Sequence, residues 1–422
     1  MWGYWLFIAF EAFFIHLMLP VDALAMSESV YVTLIVINIF LLIFVLAYKY
    51  GMDRNFVVLI VAGLLLRVFC MFWSEYCNEI FTLPNSGADE FTYYYNAMSN
   101  LVKGKEFTGY AQFFSWQAKI YGLSKIYGKF VNLLFSITAI LILRRSLIEL
   151  GIDYNISIKT LAIASFLPNF AILSSLLLRE SVIVFLCSVS IYYFVLWWKY
   201  NRFRELIFAL AASIGAAWLH SGMIAYTVGV LCVAFASKRV AQGRRYDLAN
   251  IRTWILTLAV AAVTLIVLMN VDLGLTTYFR GADSLSDIVS ISDAYEDGGS
   301  AYNANIVSND STVGFIINTP FRMLYFMFAP VPWDWRSATD IIAFLFSGLF
   351  YGYVFITTIP CALKGKRYAL VAALLLISLL VLIIFGWGVS NSGTALRHRD
   401  KMVVHYLLMY ATTRNAKAMN RR

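Results

Sequence analysis

Long apolar runs recur along the whole chain and are separated by shorter polar stretches. Most runs are close to 20 residues long, and an α-helix needs about 20 residues to cross a hydrocarbon core about 30 Å thick. The pattern predicts about twelve transmembrane helices, near residues 3–20, 29–48, 56–74, 129–143, 158–176, 179–198, 206–220, 222–237, 254–272, 339–361, 368–388 and 401–413. The first run lacks a basic leader and a small-residue cleavage site, so we interpret it as a retained span.

Two predicted loops are long enough to hold structure of their own. Residues 75–128 mix aromatic and apolar positions with charges, as amphipathic helices at a membrane surface do. Residues 273–338 end in "VGFIINTPFRMLYFMFAPVPWDW", where prolines interrupt an apolar stretch and favour a re-entrant or interfacial helix. The expected fold is therefore all-α: one polytopic transmembrane domain over residues 1–422, with two long loops on one membrane face.

Composition supports the membrane class and excludes several others. Hydrophobic residues make up 61% of the chain and charged residues 14%, whereas a soluble domain has about 25% charged residues. The net charge of +9 does not indicate nucleic-acid binding, because the basic residues follow the alternation that orients membrane proteins. Five cysteines without a CxxC pair favour neither a disulfide framework nor a zinc site.

Charge alternation also predicts the orientation. One set of alternate loops and the C-terminal tail hold 20 of the 33 Lys and Arg residues but only five of the 24 Asp and Glu residues. This side is predicted to be cytoplasmic, with both termini inside. The two long loops and several arginines then lie outside, where orientation does not account for them. Arginine offers a planar, permanent charge that suits phosphate.

Two outer motifs carry candidate site residues. In "NSGADEFTYYYNA", Asp89 and Glu90 either cap a helix or act in catalysis, where a carboxylate takes the proton of an attacking hydroxyl and the tyrosines stack on a sugar. In "LLRESV", Arg179 and Glu180 either pair and cap a helix or contact phosphate or sugar.

Three further positions complete the predicted site. His220 in "WLHSGM" is placed at the outer turn between two short spans, as a structural hydrogen-bonding group or a catalytic one. Arg322 lies in the late outer loop. "NSGTALRHRDKM" contains Arg397, His398 and Arg399; in an extended loop the two arginines would point the same way and grip one phosphate, and His398 would point away. No metal-ligand pair is predicted, because no second histidine follows His220 at i+4.

Two families share features with this chain. "GADEFTYYYNA", "NLLFSITAILIL" and "LPNFAILSSLLLRES" resemble the GT-C glycosyltransferases, and this resemblance implies Asp89 as the base. "FAPVPWDW" and "SNSGTALRHRDKM", with the late outer loop, resemble bacterial O-antigen and exopolysaccharide polymerases of the Wzy type. That resemblance implies Arg179, Arg397 and Arg399, with His220 or His398, around a lipid pyrophosphate.

Together these features predict a glycosyltransferase of the bacterial inner membrane that polymerises undecaprenyl-pyrophosphate-linked oligosaccharides at the periplasmic face. The expected partners are the lipid-linked substrate, the bilayer, and a flippase and chain-length regulator of the same pathway. No cofactor is expected, although a divalent metal would be compatible. The alternatives are a GT-C enzyme that transfers a single sugar and an exporter of lipid-linked glycans. An exporter needs charges along a path through the spans, and few exist: Glu11, His16 and Arg67.

Overall fold

The computed structural model describes residues 2–19, 23–238, 300–308, 312–364 and 368–419. Within these ranges the extended structure is limited to one bridge between Ala301 and Asn391, and the regular elements are helices. The α-helices are α1 Trp2–Met18, α2 Glu28–Tyr50, α3 Arg54–Tyr76, α4 Ala88–Lys103, α5 Gly109–Tyr121, α6 Lys125–Glu149, α7 Tyr154–Phe166, α8 Pro168–Leu173, α9 Glu180–Tyr200, α10 Phe203–Leu219, α11 Ile224–Lys238, α12 Thr312–Phe328, α13 Ala338–Ala343, α14 Leu349–Ala362, α15 Ala369–Gly388, α16 Ser392–Asp400 and α17 Val403–Met419.

Six of the described helical segments are long and apolar enough to cross a membrane: Glu28–Tyr50, Arg54–Tyr76, Lys125–Glu149, Glu180–Tyr200, Ala338–Ala362 and Ala369–Gly388. Three shorter apolar helices are Gly3–Met18, Ser221–Phe235 and Val313–Phe328. The expected all-α membrane protein is confirmed at this level, and the count of twelve spans stays a prediction. The predicted span 254–272 lies outside the described residues, as do positions 273–299 and 309–311 of the second long loop.

Several predicted boundaries differ from the observed helices. The predicted span 158–176 is not continuous, because Pro168 begins a new short helix and separates α7 from α8. The predicted break at His220 is present: α10 ends at Leu219, His220 is extended, and a 3-10 turn leads into α11. The predicted loop 75–128 contains two complete helices, α4 and α5.

The chain forms two compact units. The first comprises residues 1–141 and 161–185, and here α1 and α4 pack on α5 while α3 packs on α2 and α8. The second comprises residues 142–160 and 186–422, and in it α15 packs against α11, α12, α14 and α17. Most of α15 is buried, as expected for a helix that is apolar on every side.

A buried arginine stabilises the break between α7 and α8. Pro168 has no N–H, so the carbonyl of Ala164, four residues earlier, lacks its helical donor. The fully buried Arg67 guanidinium donates to this carbonyl at 3.1 Å and to that of Ser165 at 2.7 Å. Its Nε donates to the Ser174 hydroxyl at 3.0 Å. Arg67 therefore satisfies the helix end that proline leaves without a donor.

Candidate functional site

In the first unit, an irregular turn precedes α9 and is clamped by side chains from other helices. Asn132 of α6 donates through Nδ2 to the carbonyls of Leu176 and Leu178, at 2.8 and 2.9 Å. Glu90 of α4 accepts the backbone N–H of Leu177 at 2.7 Å. Three consecutive residues of the turn are thus held by side chains, and the turn leads directly into Arg179.

A buried ammonium group lies behind Glu90. Lys129 is 0% exposed; its Nζ lies 2.8 Å from Glu75 Oε2 and 3.3 Å from Glu90 Oε1, and it donates to the Ser74 hydroxyl at 2.9 Å. The buried ammonium is therefore flanked by two carboxylates and one hydroxyl. The neighbouring Lys125 forms a more exposed ion pair with Glu75 at 3.3 Å.

The two carboxylates that the sequence presented as a pair occupy different environments. Glu90 is 2% exposed and bonded to Lys129 and Leu177, so it connects α4 to α6 and to the turn. Asp89 is only partly buried, in the first turn of α4. Of the two, Asp89 is the carboxylate that a substrate can reach.

Arg179 directly precedes α9, which begins at Glu180. Arg179 is partly exposed, yet its Nε is buried and has no hydrogen-bond acceptor among the described residues. The Oδ1 of Asn132 and the hydroxyl of Ser181 are likewise buried without a hydrogen bond in this part of the chain. Glu180 is buried in the first helical turn, where a carboxylate complements the helix dipole. Three buried polar atoms without a hydrogen bond to the described residues, from Arg179, Asn132 and Ser181, therefore lie at or next to the start of α9, and Arg179 is the partly exposed residue of the three.

The second unit brings together two histidines that are far apart in the sequence. The rings of His220 and His398 meet edge to face, with centroids 4.6 Å apart. Phe385 contacts both rings, at 5.5 Å from His220 and 4.8 Å from His398. Both histidines are buried. Each histidine was predicted separately as a candidate site residue, and no local sequence pattern indicated that the two are in contact.

The expected extended loop at 391–402 is wrong, because residues Ser392–Asp400 form helix α16. Asn391 caps it, accepting the N–H groups of Gly393 and Thr394 through Oδ1. With 3.6 residues per turn, Arg397 and Arg399 point about 200° apart instead of the same way. They do not form the shared phosphate grip that an extended chain would give, and His398 points into the interior instead of away from it.

Arg399 contacts backbone carbonyls of the same unit. It is 1% exposed and donates to the carbonyls of Phe326, Met327 and Ala329, at 2.8, 2.6 and 2.6 Å. The carbonyls of Phe326 and Met327 belong to the last turn of α12, whose last groups lack donors within the helix, and Ala329 directly follows the helix. Arg399 thus caps α12, and Arg397 is the partly exposed arginine of the pair.

Arg322 lies on α12 beside an apolar cavity. Its Nε donates to Asn305 Oδ1 at 2.6 Å, and its guanidinium stacks over Trp387 at 4.3 Å. The cavity has a volume of about 530 Å³. Its lining is mostly apolar and aromatic, from Asn303, Ala304, Asn305, Ile306, Phe321, Leu324, Tyr325, Phe328, Val331, Pro332, Trp333, Phe344 and Leu349.

Comparison with known proteins adds no assignment: the chain matches no family model, no curated protein and no solved structure. Within the described ranges, no three His, Cys, Asp or Glu side chains gather closely enough to hold a metal ion.

Sequence reasoning missed Lys129 and Asn132. The two residues are three positions apart on one face of α6. They lie at the start of the apolar run 129–143, which was interpreted only as a transmembrane helix. A signal was present, since charged and amide groups inside an apolar helix mark functional positions or their supports.

Proposed function

We propose that the chain is a glycosyltransferase of the bacterial inner membrane that joins undecaprenyl-pyrophosphate-linked oligosaccharide repeats at the periplasmic face. The observation that carries this proposal is Arg179. Arg67 donates through Nε and both Nη groups to carbonyl and hydroxyl oxygens, whereas the buried Nε of Arg179 has no acceptor among the described residues. The Nε of Arg399 also lacks an acceptor, but Arg399 is 1% exposed and both of its Nη groups donate to carbonyls, so the partly exposed Arg179 is the one that a ligand can reach. A cation with donors to spare suits an anionic oxygen such as that of a pyrophosphate.

The proposed reaction is displacement at a sugar carbon. The acceptor hydroxyl oxygen forms a bond to the anomeric carbon of the donor, and the bond from that carbon to the pyrophosphate oxygen breaks. The hydroxyl proton goes to the Asp89 carboxylate, and the bonding electron pair leaves with the pyrophosphate. Arg179 stabilises the charge that develops on the leaving oxygen, a type of effect that is worth about 3–4 kcal/mol for one donor.

Aromatic side chains near Asp89 suit the sugar. Tyr93 and Tyr94 follow it on α4, and Tyr93 packs edge to face on Tyr110 with centroids 4.8 Å apart. Aromatic rings offer an apolar face for the C–H side of a sugar ring. Both groups proposed for the chemistry, Asp89 and Arg179, belong to the first unit.

The second unit contains an apolar cavity of its own. Tyr325 donates to Asp334 at 2.6 Å and accepts from Trp333 Nε1 at 2.8 Å, so the polar atoms of these two rings are satisfied within the protein. What the cavity offers is mainly apolar surface, as an isoprenoid chain requires. The exporter alternative gains no support from Arg67, because its donors are occupied by groups of the protein.

Deletion of the gene tests the class of reaction. Gel analysis of the surface glycan should show single repeats on the lipid anchor. Full-length chains lacking one decoration would indicate the single-sugar GT-C alternative, and absence of surface glycan would indicate the exporter. Full-length, chemically unchanged glycan would overturn all three functions.

Purified protein with the lipid-linked repeat as its only substrate tests the residues. We expect Asp89→Asn to abolish turnover, because an amide keeps the shape but accepts no proton. Arg179→Lys should lower turnover about 10²-fold, since lysine lacks the two-pronged geometry. The exposed Arg336→Lys is the matched control and should behave as wild type. Normal turnover in both site variants would contradict the proposed roles.

A further inference from the structure

Glu90 connects the two groups to which the proposed function assigns the chemistry. It adjoins Asp89 in the first turn of α4, and its Oε1 accepts the N–H of Leu177 at 2.7 Å. Leu177 lies two residues before Arg179. Asp89 is therefore connected to Arg179 through one peptide bond, the Glu90 side chain, one hydrogen bond and two residues of backbone.

Two side chains of α6 hold this connection in place. Lys129, 3.3 Å from Glu90 Oε1, fixes the carboxylate from behind, and Asn132 binds the carbonyls on either side of Leu177. Lys129 and Asn132 are separated by about one helical turn, so a single rigid helix sets both contacts. Without these contacts, the turn Leu176–Leu178 would have free backbone groups and several accessible conformations.

We infer that Glu90 is a positioning residue: it fixes the separation between the Asp89 carboxylate and the Arg179 guanidinium through its hydrogen bond to Leu177. This inference rests on the proposed function. A displacement reaction requires the base and the leaving-group ligand at a set distance, and an error of about 1 Å can lower the rate about 10²-fold. Glu90 itself is buried and does not touch substrate.

A double-mutant cycle separates positioning from a general contribution to folding. The variant Glu90→Leu/Lys129→Met removes the bond to Leu177 together with both charges of the Glu90–Lys129 pair, and Glu75 loses Lys129 but keeps its ion pair with Lys125. Its effect on single-turnover rate is measured in the wild-type background and in the Arg179→Ala background, each normalised to monodisperse protein. Lys125→Met is the control, because it removes only the more exposed ion pair with Glu75.

We expect the paired variant to lower the rate about 10- to 100-fold when Arg179 is present and about twofold or less when it is absent, since coupled residues are not additive. Glu90→Gln keeps an oxygen acceptor for Leu177 and should stay within about fivefold of wild type. Lys125→Met should be unchanged. An equal loss in both Arg179 backgrounds would overturn positioning, and so would a loss in Glu90→Gln as large as in the paired variant.

Amide hydrogen exchange provides a readout that needs no activity. Exchange at Leu177 should speed up in Glu90→Leu/Lys129→Met and remain slow in Glu90→Gln. Unchanged exchange in the paired variant would show that the bond to Leu177 is not what holds the turn, and the inference would fall. Wild-type protein without turnover of the lipid-linked donor would instead overturn the proposed function, a result that requires no variant.

Discussion

Replacing Arg399 by methionine should destabilise the protein far more than the same change at Arg397. The two arginines lie on one helix, two residues apart, and the sequence treats them alike. In the structure Arg399 is 1% exposed and caps α12 through three carbonyls at 2.6–2.8 Å, while Arg397 is partly exposed. Arg397→Met is therefore the matched control.

The magnitude follows from the carbonyls that are left. A buried acceptor without a donor costs about 1–3 kcal/mol, so three cost about 3–9 kcal/mol. Part of this loss in stability is offset, because burying the charged guanidinium itself costs several kcal/mol and methionine avoids that cost. We expect a net loss of about 2–5 kcal/mol for Arg399→Met and less than about 0.5 kcal/mol for Arg397→Met.

The assay is unfolding in mixed detergent micelles, followed by tryptophan fluorescence and checked by size-exclusion chromatography. The unfolding free energy of Arg399→Lys should lie between those of wild type and Arg399→Met, because one ammonium group cannot reach the three carbonyls that the forked guanidinium reaches. Equal stability of Arg399→Met and Arg397→Met would refute the capping role. If Arg399→Met were fully stable and lost only affinity for the lipid-linked donor, the phosphate-binding interpretation of Arg399 would be restored.

Three further predictions concern other parts of the chain. Arg67→Met should lower the unfolding free energy by about 2–4 kcal/mol, because two last-turn carbonyls of α7 lose their donor; wild-type stability would contradict the role of Arg67. In a variant without native cysteines, Glu106→Cys should react with an impermeant maleimide on intact spheroplasts and Met52→Cys only after permeabilisation; the reverse pattern would invert the predicted orientation. Burial raises the pKa of Tyr110 well above its usual value of 10.0. The folded state thus holds this proton more tightly, so stability should be full below about pH 10 and fall above it as the unfolded phenol ionises, and Tyr110→Phe should show a smaller fall between about pH 9 and 11 in thermal unfolding.

The helical, membrane-spanning character was predictable because it depends on local pattern alone. Runs of about 20 apolar residues have few alternatives to a helix in a bilayer. The break at His220 was also predictable, since the run from Phe203 to Lys238 is too long for one crossing and charge alternation requires a turn within it. The break at Pro168 was missed because the apolar pattern continues through it, although proline itself was the signal.

The site was less predictable, because its contacts join residues distant in sequence. Glu90 and Leu177 are 87 positions apart, and His220 and His398 are 178 apart. The sequence pattern identified most of these residues as candidates for catalysis or phosphate binding. It does not show which of these side chains form their hydrogen bonds and ion pairs within the protein. The predicted extended conformation of residues 391–402 was wrong for a local reason. Asn391 is a favourable N-cap residue and precedes helix α16, but the prediction gave this helix-start signal less weight than the charged residues that follow.

The arginines of this chain show why a cation near the membrane is ambiguous evidence for a phosphate ligand. A helix that is interrupted inside an apolar environment leaves carbonyl oxygens without donors, and these oxygens attract a guanidinium for the same reason that phosphate does. Pro168 creates such a demand on α7, which Arg67 meets, and the end of α12 creates another, which Arg399 meets. An arginine near an interrupted helix therefore indicates a phosphate ligand only where backbone carbonyls do not accept its N–H groups. The clamp on Leu176–Leu178 satisfies the backbone at the start of α9 through Glu90 and Asn132, and that leaves Arg179 available for an external anion.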